Sequence, residues 1–379
     1  MTSRALARRP ALATPDLDRR IAEARARTIV PWRGERILLD ALPERIARLD
    51  DRMARDRVYA LRSAAFEALN PLYVERLNAW REAGDVAGLV ARRGTDPVAL
   101  ASSLERFSFN VETIYYAALR RYLALIGIEQ GDAGEADLWY IERGSSWSSW
   151  FGQREVRRAL AAARRAPFDV GDIDGWRAVG AQLLGEDSDV IGTTVVGAAY
   201  ATIVADEAWL AEEVGMAPEE VTAFIDFATF VRLLQLRRAQ AELTYELRLY
   251  GARDAAVERA YYAGIVGHHI GAAVAEAGYL AGIDRPFGSV ARLETAILGG
   301  MLVEVLEERH GPRWWSDPHA SPLIDRVAAA ATLGDTLAEL GYDALDWRPV
   351  LRQIRTRLIG EMSGYGGPNI TTRAGTRKV

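Results

Sequence analysis

The chain has 379 residues, 49% of them hydrophobic and 26% charged, with a formal net charge of −5. That is the balance of a globular protein long enough to bury a large core, and it lacks the positive field that non-specific nucleic-acid binding needs. There is no cysteine, and Lys378 is the only lysine, which excludes disulfides, thiolate nucleophiles, iron–sulfur clusters and lysine Schiff-base chemistry in the body of the chain.

The first residues, "MTSRALARRPALAT", are basic without an apolar run and read as a disordered arm over 1–14 rather than a secretory signal. Amphipathic helices are then expected over 16–29, 41–69, with Pro43 a point of weakness, and 71–82. Asp96-Pro97 opens a long helix that stops near Gly127, and "GEADLWYIERG" and "QREVRRALAAARRA" read as short helices. Residues 166–192 are rich in Asp and Gly and read as a loop region. Their acidic residues lack the regular spacing of a calcium loop. Helices resume over 193–214, 218–250, 255–281, 289–310, 323–340 and 347–358, and 361–379 forms a glycine-rich tail.

The longest apolar run, Val190 to Ala205, is shorter than the ~20 residues a membrane span requires and reads as a buried core helix. Alternating strand patterns are nearly absent. The expected fold is all-α, with little or no β-sheet, in one large multi-helix domain over 15–360. Within it, helical parts at 15–165 and 193–360 flank the loop region. No repeat, G-x-G-x-x-G or P-loop occurs, so no cofactor is expected. The expected location is cytoplasmic, without membrane or nucleic-acid partners.

Two of the four histidines are adjacent, in "YYAGIVGHHIGAAVAEAGYL", 261–280. Neighbours on a helix point about 100° apart, so His268 and His269 can rarely share one metal ion, and no metal site is expected. Gly264, Gly267, Gly271, Ala275 and Gly278 recur every three or four residues. The stripe suits either close helix packing or a cleft wall, along which Tyr261, Tyr262, His268 and His269 would present polar groups. On 218–250, Arg238, Glu242 and Glu246 are spaced by four along one ridge, with Tyr245 beside them. Base rates favour a solvated charged face there. The sharper alternative is a carboxylate pair that holds an ammonium group or acts as a base of raised pKa. On the opposite stripe, Leu233, Leu236, Leu243 and Leu247 are interrupted by Gln240, a polar residue that calls for a partner. Candidate catalytic residues are therefore His268, His269, Glu246 and Tyr245. Candidate substrate-binding residues are Arg238, Glu242, Tyr261, Tyr262 and Gln240.

Four stretches in order carry a resemblance. They are the segment from Phe109 to Leu160, "VVGAAYATIVADEAWLAEEVGM", "FVRLLQLRRAQAELTYELRLYG", and "GYLAGIDRPFGSVARLETAILGGMLVEVLEERHGPRWW" through "GDTLAELGYDALDWRPVL". Together they resemble the helical scaffold of the oligopeptidase-type (M3-like) zinc metallopeptidases. That resemblance implies a helix carrying His-Glu-x-x-His, with a further Glu on a following helix. The chain contains no such motif. By order it would fall near "DGWRAVGAQLL", where Trp176, Arg177, Gly180 and Ala181 do not suit zinc, and "GTTVVGAAYATIV" downstream has no carboxylate. The scaffold match also implies a structural ion pair around Asp137, Tyr140 and Arg143, and a packing corner at "PRWW" with Asp317.

The expected function is a metal-independent, non-proteolytic enzyme. It would reuse a peptidase-like cleft for acid–base or positional chemistry (cyclisation, elimination or transfer) on a small amino-bearing or peptide-like substrate, in a setting of specialised metabolism. One alternative is a pseudo-peptidase that binds or regulates a separate catalytic chain, a carrier protein or a second copy of itself. A third is a working peptidase whose ligands lie elsewhere.

Overall fold

Helical periodicity becomes helix along nearly the whole computed structural model, which describes residues 14–82, 84, 86, 94–147, 149–151 and 191–359. The expected arm, the helix at 153–166, most of the loop region and the tail lie outside the described residues.

Helix α1 (Pro15–Arg27) ends earlier than its periodicity suggests, because the next residues form a hairpin. Strands β1 (Ile29–Trp32) and β2 (Glu35–Leu38) pair antiparallel, with Ile29 opposite Leu38 and Trp32 opposite Glu35. The two-residue turn places Arg33 and Gly34 at φ 48° and 85°. Positive φ at both central positions gives a turn whose twist matches that of the strands. Val30, Trp32 and Ile37 bury themselves against the helices, which makes this short ribbon stable.

Helices α2 (Leu42–Ala47) and α3 (Arg52–Glu82) replace the single expected 41–69 helix. The expected break before Pro71 does not occur, and α3 runs straight through it. An interior proline costs about 3 kcal/mol. Phe66, Leu69, Tyr73, Leu77 and Trp80, on both sides of it, enter one continuous core, and the Asn70 amide donates to the Ala277 carbonyl at 3.1 Å. Burying several large side chains outweighs the local penalty.

Helices α4 (Pro97–Leu125) and α5 (Glu135–Glu142) follow, then α6 (Ile191–Ala201), α7 (Pro218–Gly251), α8 (Arg259–Ile270), α9 (Gly288–His310), α10 (Ser321–Ala329), α11 (Leu333–Leu340) and α12 (Arg348–Ile359). The expected 193–214 helix is interrupted by a 3-10 turn at Thr202–Ala205, after which Asp206 caps a new start by accepting from the Trp209 N–H at 2.8 Å. The expected 323–340 helix likewise divides at Ala330. The corner at 314–317 is as expected: Trp314 and Trp315 are buried, and His310 Nδ1 lies 2.9 Å from Asp317.

The expected 255–281 helix is also corrected. It stops at Ile270, where Gly271 takes φ 69°, so the glycines do not form one helical stripe. Close approach is tightest at Gly271, where a Cβ would stand 2.5 Å from Leu119 Cδ2, and a Cβ on Gly267 would stand 3.0 Å from the Ala272 carbonyl oxygen. Three side chains seal this helix end. Tyr116 donates to the His268 carbonyl at 2.5 Å, Arg237 Nε to that of His269 at 2.7 Å, and Tyr115 to that of Ile270 at 2.6 Å. Exposed carbonyls at a helix C-terminus carry partial negative charge, and they give the buried Arg237 guanidinium its compensation.

Small residues in the apolar run of α6 serve close packing. A Cβ on Gly192 would lie 1.9 Å from the Val327 carbonyl oxygen, and one on Gly299 of α9 would lie 2.6 Å from Ala198 Cβ. Gly192→Ala is therefore expected to destabilise the fold by about 1–3 kcal/mol or more, because backbone rather than a flexible side chain must move. A urea midpoint unchanged from the parent would refute this close contact.

Two apolar clusters result. The larger is built on α4, α6, α7, α9 and the C-terminal helices, the smaller on α1, the hairpin, α2 and α3. Helix α7 spans both: Leu233, Leu236 and Leu243 belong to the first, Tyr245 and Leu249 to the second. Tyr262 and Ile265 of α8 pack against both. Among the described residues, no helix is long and apolar enough to cross a membrane.

Candidate active site

The seam between the two clusters is polar, and the ridge of α7 runs along it. A solvated face was the commoner expectation for that ridge. Instead Glu246 is 3% exposed, and the side chains of Arg238 and Glu242 are 22% and 25% exposed. What covers them comes from far away in sequence.

Arg238 pairs with Glu135 at the start of α5. Tyr59 of α3 donates to the other oxygen of Glu135 at 2.6 Å, and its own hydroxyl accepts the Ala275 N–H at 3.0 Å. Glu135 is placed by backbone: its N–H donates to the Ala273 carbonyl at 2.9 Å, tying α5 to the loop after α8. Burial alone would raise the Glu135 carboxyl. The charge of Arg238, the Tyr59 hydrogen bond and the charge of Arg62 outweigh burial and hold it below its usual range. Arg238 is correspondingly held charged: its burial is overcome by Glu135, Glu142 and Glu242.

One turn on, Glu242 pairs with Arg292 of α9. Burial raises its carboxyl pKa despite Arg292 and Arg238. One further turn on, Glu246 has no cationic partner of its own. Ser289, in the first turn of α9, donates its hydroxyl to Glu246 Oε1 at 2.6 Å, and its N–H reaches the same oxygen at 3.4 Å. The second oxygen, Oε2, is buried with no hydrogen-bond partner. Burial pushes this carboxyl up to about 7; the Ser289 donors restrain it, and Glu242 adds to the rise. The Tyr245 hydroxyl is likewise buried and unpartnered, and burial raises its pKa well above that of an ordinary phenol.

These groups meet in a narrow crevice lined by Glu242, Tyr245, Glu246, Tyr262, Tyr279 and Arg292, with Gly278, Gly282 and Ile283 completing it. Its interior has room for little more than a water-sized group. Tyr245 and Tyr262 meet edge to face, their ring centroids 5.0 Å apart.

The remaining sequence candidates lie elsewhere. Tyr261 carries the Arg248 guanidinium over its ring at 4.2 Å. Gln240 has the partners its position called for, donating to the Leu104 carbonyl at 3.0 Å and accepting from Ser108 at 2.5 Å, beside a small apolar hole between α4, α7, α9 and α12. His268 and His269 sit at the sealed end of α8, their rings 5.7 Å apart and nearly perpendicular. His268 is exposed, and neither ring lines the crevice. Burial, then the charge of Arg237, then that of His268 lower the His269 pKa to about 4. It should therefore remain neutral at pH 6 in a ¹⁵N-imidazole NMR titration. Its contribution to stability should fall as acid protonates the unfolded chain, from pH 6.5 downwards. A ring that titrates near 6.5 would contradict this burial.

Sequence reasoning missed Glu135, Tyr59, Arg62, Ser289 and Arg292. A signal existed for two of them: Ser289 and Arg292 are three apart at the start of an expected helix and so share a face. The ion pair expected around Asp137 exists with other partners. Asp137 meets Arg55 of α3 at 2.9 Å, and Tyr140 donates to Asp50 at 3.0 Å.

No family model matches the chain, and no curated protein matches it. Among solved structures, 14 chains match. One is the crystal structure of oligoendopeptidase-F from Enterococcus faecium. It superposes with a TM-score of 0.57 over 91% of this chain and 71% of that one, at 11% sequence identity. At that identity the likeness is one of fold: a single large helical domain of the oligopeptidase type.

The resemblance read from the sequence implies zinc, and the described residues do not fit it. Helix α6 offers no carboxylate and is packed tightly against α9 and α10. Among the described residues, no three His, Cys, Asp or Glu side chains converge as a metal would require. Trp176, Arg177, Gly180 and Ala181 lie outside the described residues.

Proposed function

We propose that the chain is a degenerate relative of the oligopeptidase-type metallopeptidases that has lost the zinc motif and works as a metal-independent, non-proteolytic enzyme. It would carry out acid–base or positional chemistry, such as cyclisation, elimination or transfer, on a small amino-bearing or peptide-like substrate. The observation that carries this reading is Glu246. Its carboxyl is buried and poised near neutrality, with one oxygen held by Ser289 and the other unpartnered, and Glu246 and Tyr245 are both among the residues that line the crevice. A group with a pKa near the working pH can both take and return a proton. In this reading Glu246 transfers the proton, Tyr245 orients or donates to the reacting atom, and Ser289 decides which carboxylate oxygen faces the substrate. The Arg238–Glu135 and Arg292–Glu242 pairs hold the frame. The histidines take no part in the proton transfer.

Incubating a metabolite extract with the protein tests this. One amine-bearing compound should be consumed by the parent protein with or without a chelator, and not by Glu246→Gln. Peptide hydrolysis abolished by the chelator would overturn the proposal, as would consumption unaffected by Glu246→Gln.

The narrowness of the crevice favours one second reading, a binding or regulatory subunit. In that case a partner chain should co-purify at stoichiometry, and Glu246→Gln should leave its retention unchanged.

A further inference from the structure

We propose that Arg232 of α7 and Arg357 of α12 form a second site, one that takes a phosphate group, free or carried by a small molecule. Arg232 stands ten residues before Glu242, about 15 Å along the helix axis, so this site is separate from the crevice and rests on no activity there.

Helix α12, "RPVLRQIRTRLI", carries four arginines and no carboxylate. Three of the four are spent on neighbours: Arg348 pairs with Asp346, Arg352 with Glu304, and Arg355 donates to the Asn110 carbonyl at 3.1 Å. Arg357 has no such partner among the described residues. Facing it, Arg232 sits between the buried Val231 and Leu233 of α7, and its one hydrogen bond runs from Nη1 to Gln353 Oε1 at 2.9 Å. Gln353 is itself fixed, since its Nε2 donates to the Gly300 carbonyl of α9 at 3.2 Å. Gln353 and Arg357 are four apart on α12 and share one face, which brings the second guanidinium beside the first. Among the described residues, no carboxylate reaches either arginine within ion-pair distance.

Charges withdrawn from water are ordinarily paired, and two like charges side by side are costlier than one. Burial, and then the charge of Arg357, pull Arg232 down to about 10, which leaves it charged at neutral pH with no carboxylate acting on it. Burial, offset in part by Glu307 and Asp206, lowers Arg357 as well. The counter-charge must come from outside, and the pair is open to it. Both side chains are half-buried, and no nitrogen of either is sealed from solvent without a partner. Nε and Nη2 of Arg232 and all three nitrogens of Arg357 remain able to donate.

Their number and shape select the guest. Two planar forks offer several N–H groups to a tetrahedral oxyanion, and the double charge of a phosphate group balances both guanidiniums. A carboxylate has one charge and balances only one of them.

Calorimetry on the full chain at constant ionic strength tests the proposal, with inorganic phosphate, methyl phosphate and acetate as probes. One phosphate should bind per chain, and acetate should bind more weakly by about tenfold or more. Arg357→Gln and Arg232→Met should each weaken phosphate binding by about tenfold or more. Methyl phosphate bound as tightly as the inorganic ion would assign the site to a carried group, and binding of the inorganic ion alone would assign it to free phosphate. Urea unfolding supplies an independent readout. Without phosphate the like charges oppose folding, so Arg357→Gln should raise the midpoint, and saturating phosphate should reverse the order of parent and variant. The general stabilisation that phosphate gives by exclusion from protein surfaces would be equal in both and would not reverse it.

No saturable phosphate binding would overturn the proposal, as would acetate bound equally tightly or phosphate binding that both substitutions leave unchanged. A lower urea midpoint for Arg357→Gln in the absence of phosphate would also overturn it, because the guanidinium would then already have its counter-charge within the fold.

Discussion

Asp137→Ala is expected to cost the folded chain about 3–5 kcal/mol, the loss typical of removing one member of a buried ion pair. Asp137 is fully buried, and its partner Arg55 is 2% exposed. Arg55 also donates to the Leu49 and Asp50 carbonyls at 2.9 Å each and lies over the Tyr140 ring at 4.3 Å. Without the carboxylate, the guanidinium stays buried with only those partial charges around it. Asp137 Oδ2 also accepts the Gly134 N–H at 3.1 Å, so the substitution loosens the start of α5 as well. Glu135 stands one residue further on, which couples this structural pair to the polar seam. The penalty arises from an unpaired charge rather than from lost attraction. The double variant Arg55→Met/Asp137→Leu should therefore recover most of the stability. Urea unfolding of the three variants measures this. A cost under about 1 kcal/mol for Asp137→Ala would show that the pair is not buried as described.

The second large effect has opposite signs for stability and activity. With the Glu246 carboxyl raised from 4.5 to about 7, the folded state holds a proton that the unfolded chain has already released. Below pH 4.5 both states are protonated and there is no penalty. Stability is lost as pH rises from 4.5 to 7 and stays reduced above that, by about 3 kcal/mol for a shift of this size. Glu246→Gln removes the ionisation. It should stabilise the protein more at pH 8 than at pH 4, by up to about 3 kcal/mol, reduced by desolvation of the new amide. The same change should lower turnover by about 10²–10⁴, the usual worth of a positioned acid or base. Stability gained where activity is lost is the mark of a residue kept for function. Melting curves at the two pH values would contradict the account if Glu246→Gln shifted both equally.

Much of the fold was legible in the sequence because long amphipathic helices announce themselves. Helices α7, α9 and α12 start and end within about two residues of their periodic patterns. The hairpin was not legible: four-residue strands are too short to establish an alternation, and Pro31 sits inside one of them. The run after Ile270 consists of small apolar residues that suit helix or loop equally. Only the contact of Gly271 with Leu119 and Tyr116, more than 150 residues earlier in the chain, decides it.

In the candidate site, the spacing of Arg238, Glu242 and Glu246 showed that they share a ridge. Spacing cannot report burial, which depends on Glu135, Ser289 and Arg292 arriving from other helices. The adjacent histidines drew attention through their versatile chemistry. Their clearest structural part lies in backbone carbonyls, which have no sequence signature.

The most direct measurement is a pH titration of the Glu246 side-chain carboxyl by ¹³C NMR, assigned by its disappearance in Glu246→Gln. A midpoint near 7 is expected for a buried carboxyl with one oxygen held by Ser289 and the other unpartnered. A midpoint near 4.5 would mean an ordinary solvated carboxylate, and the acid–base reading would not survive it.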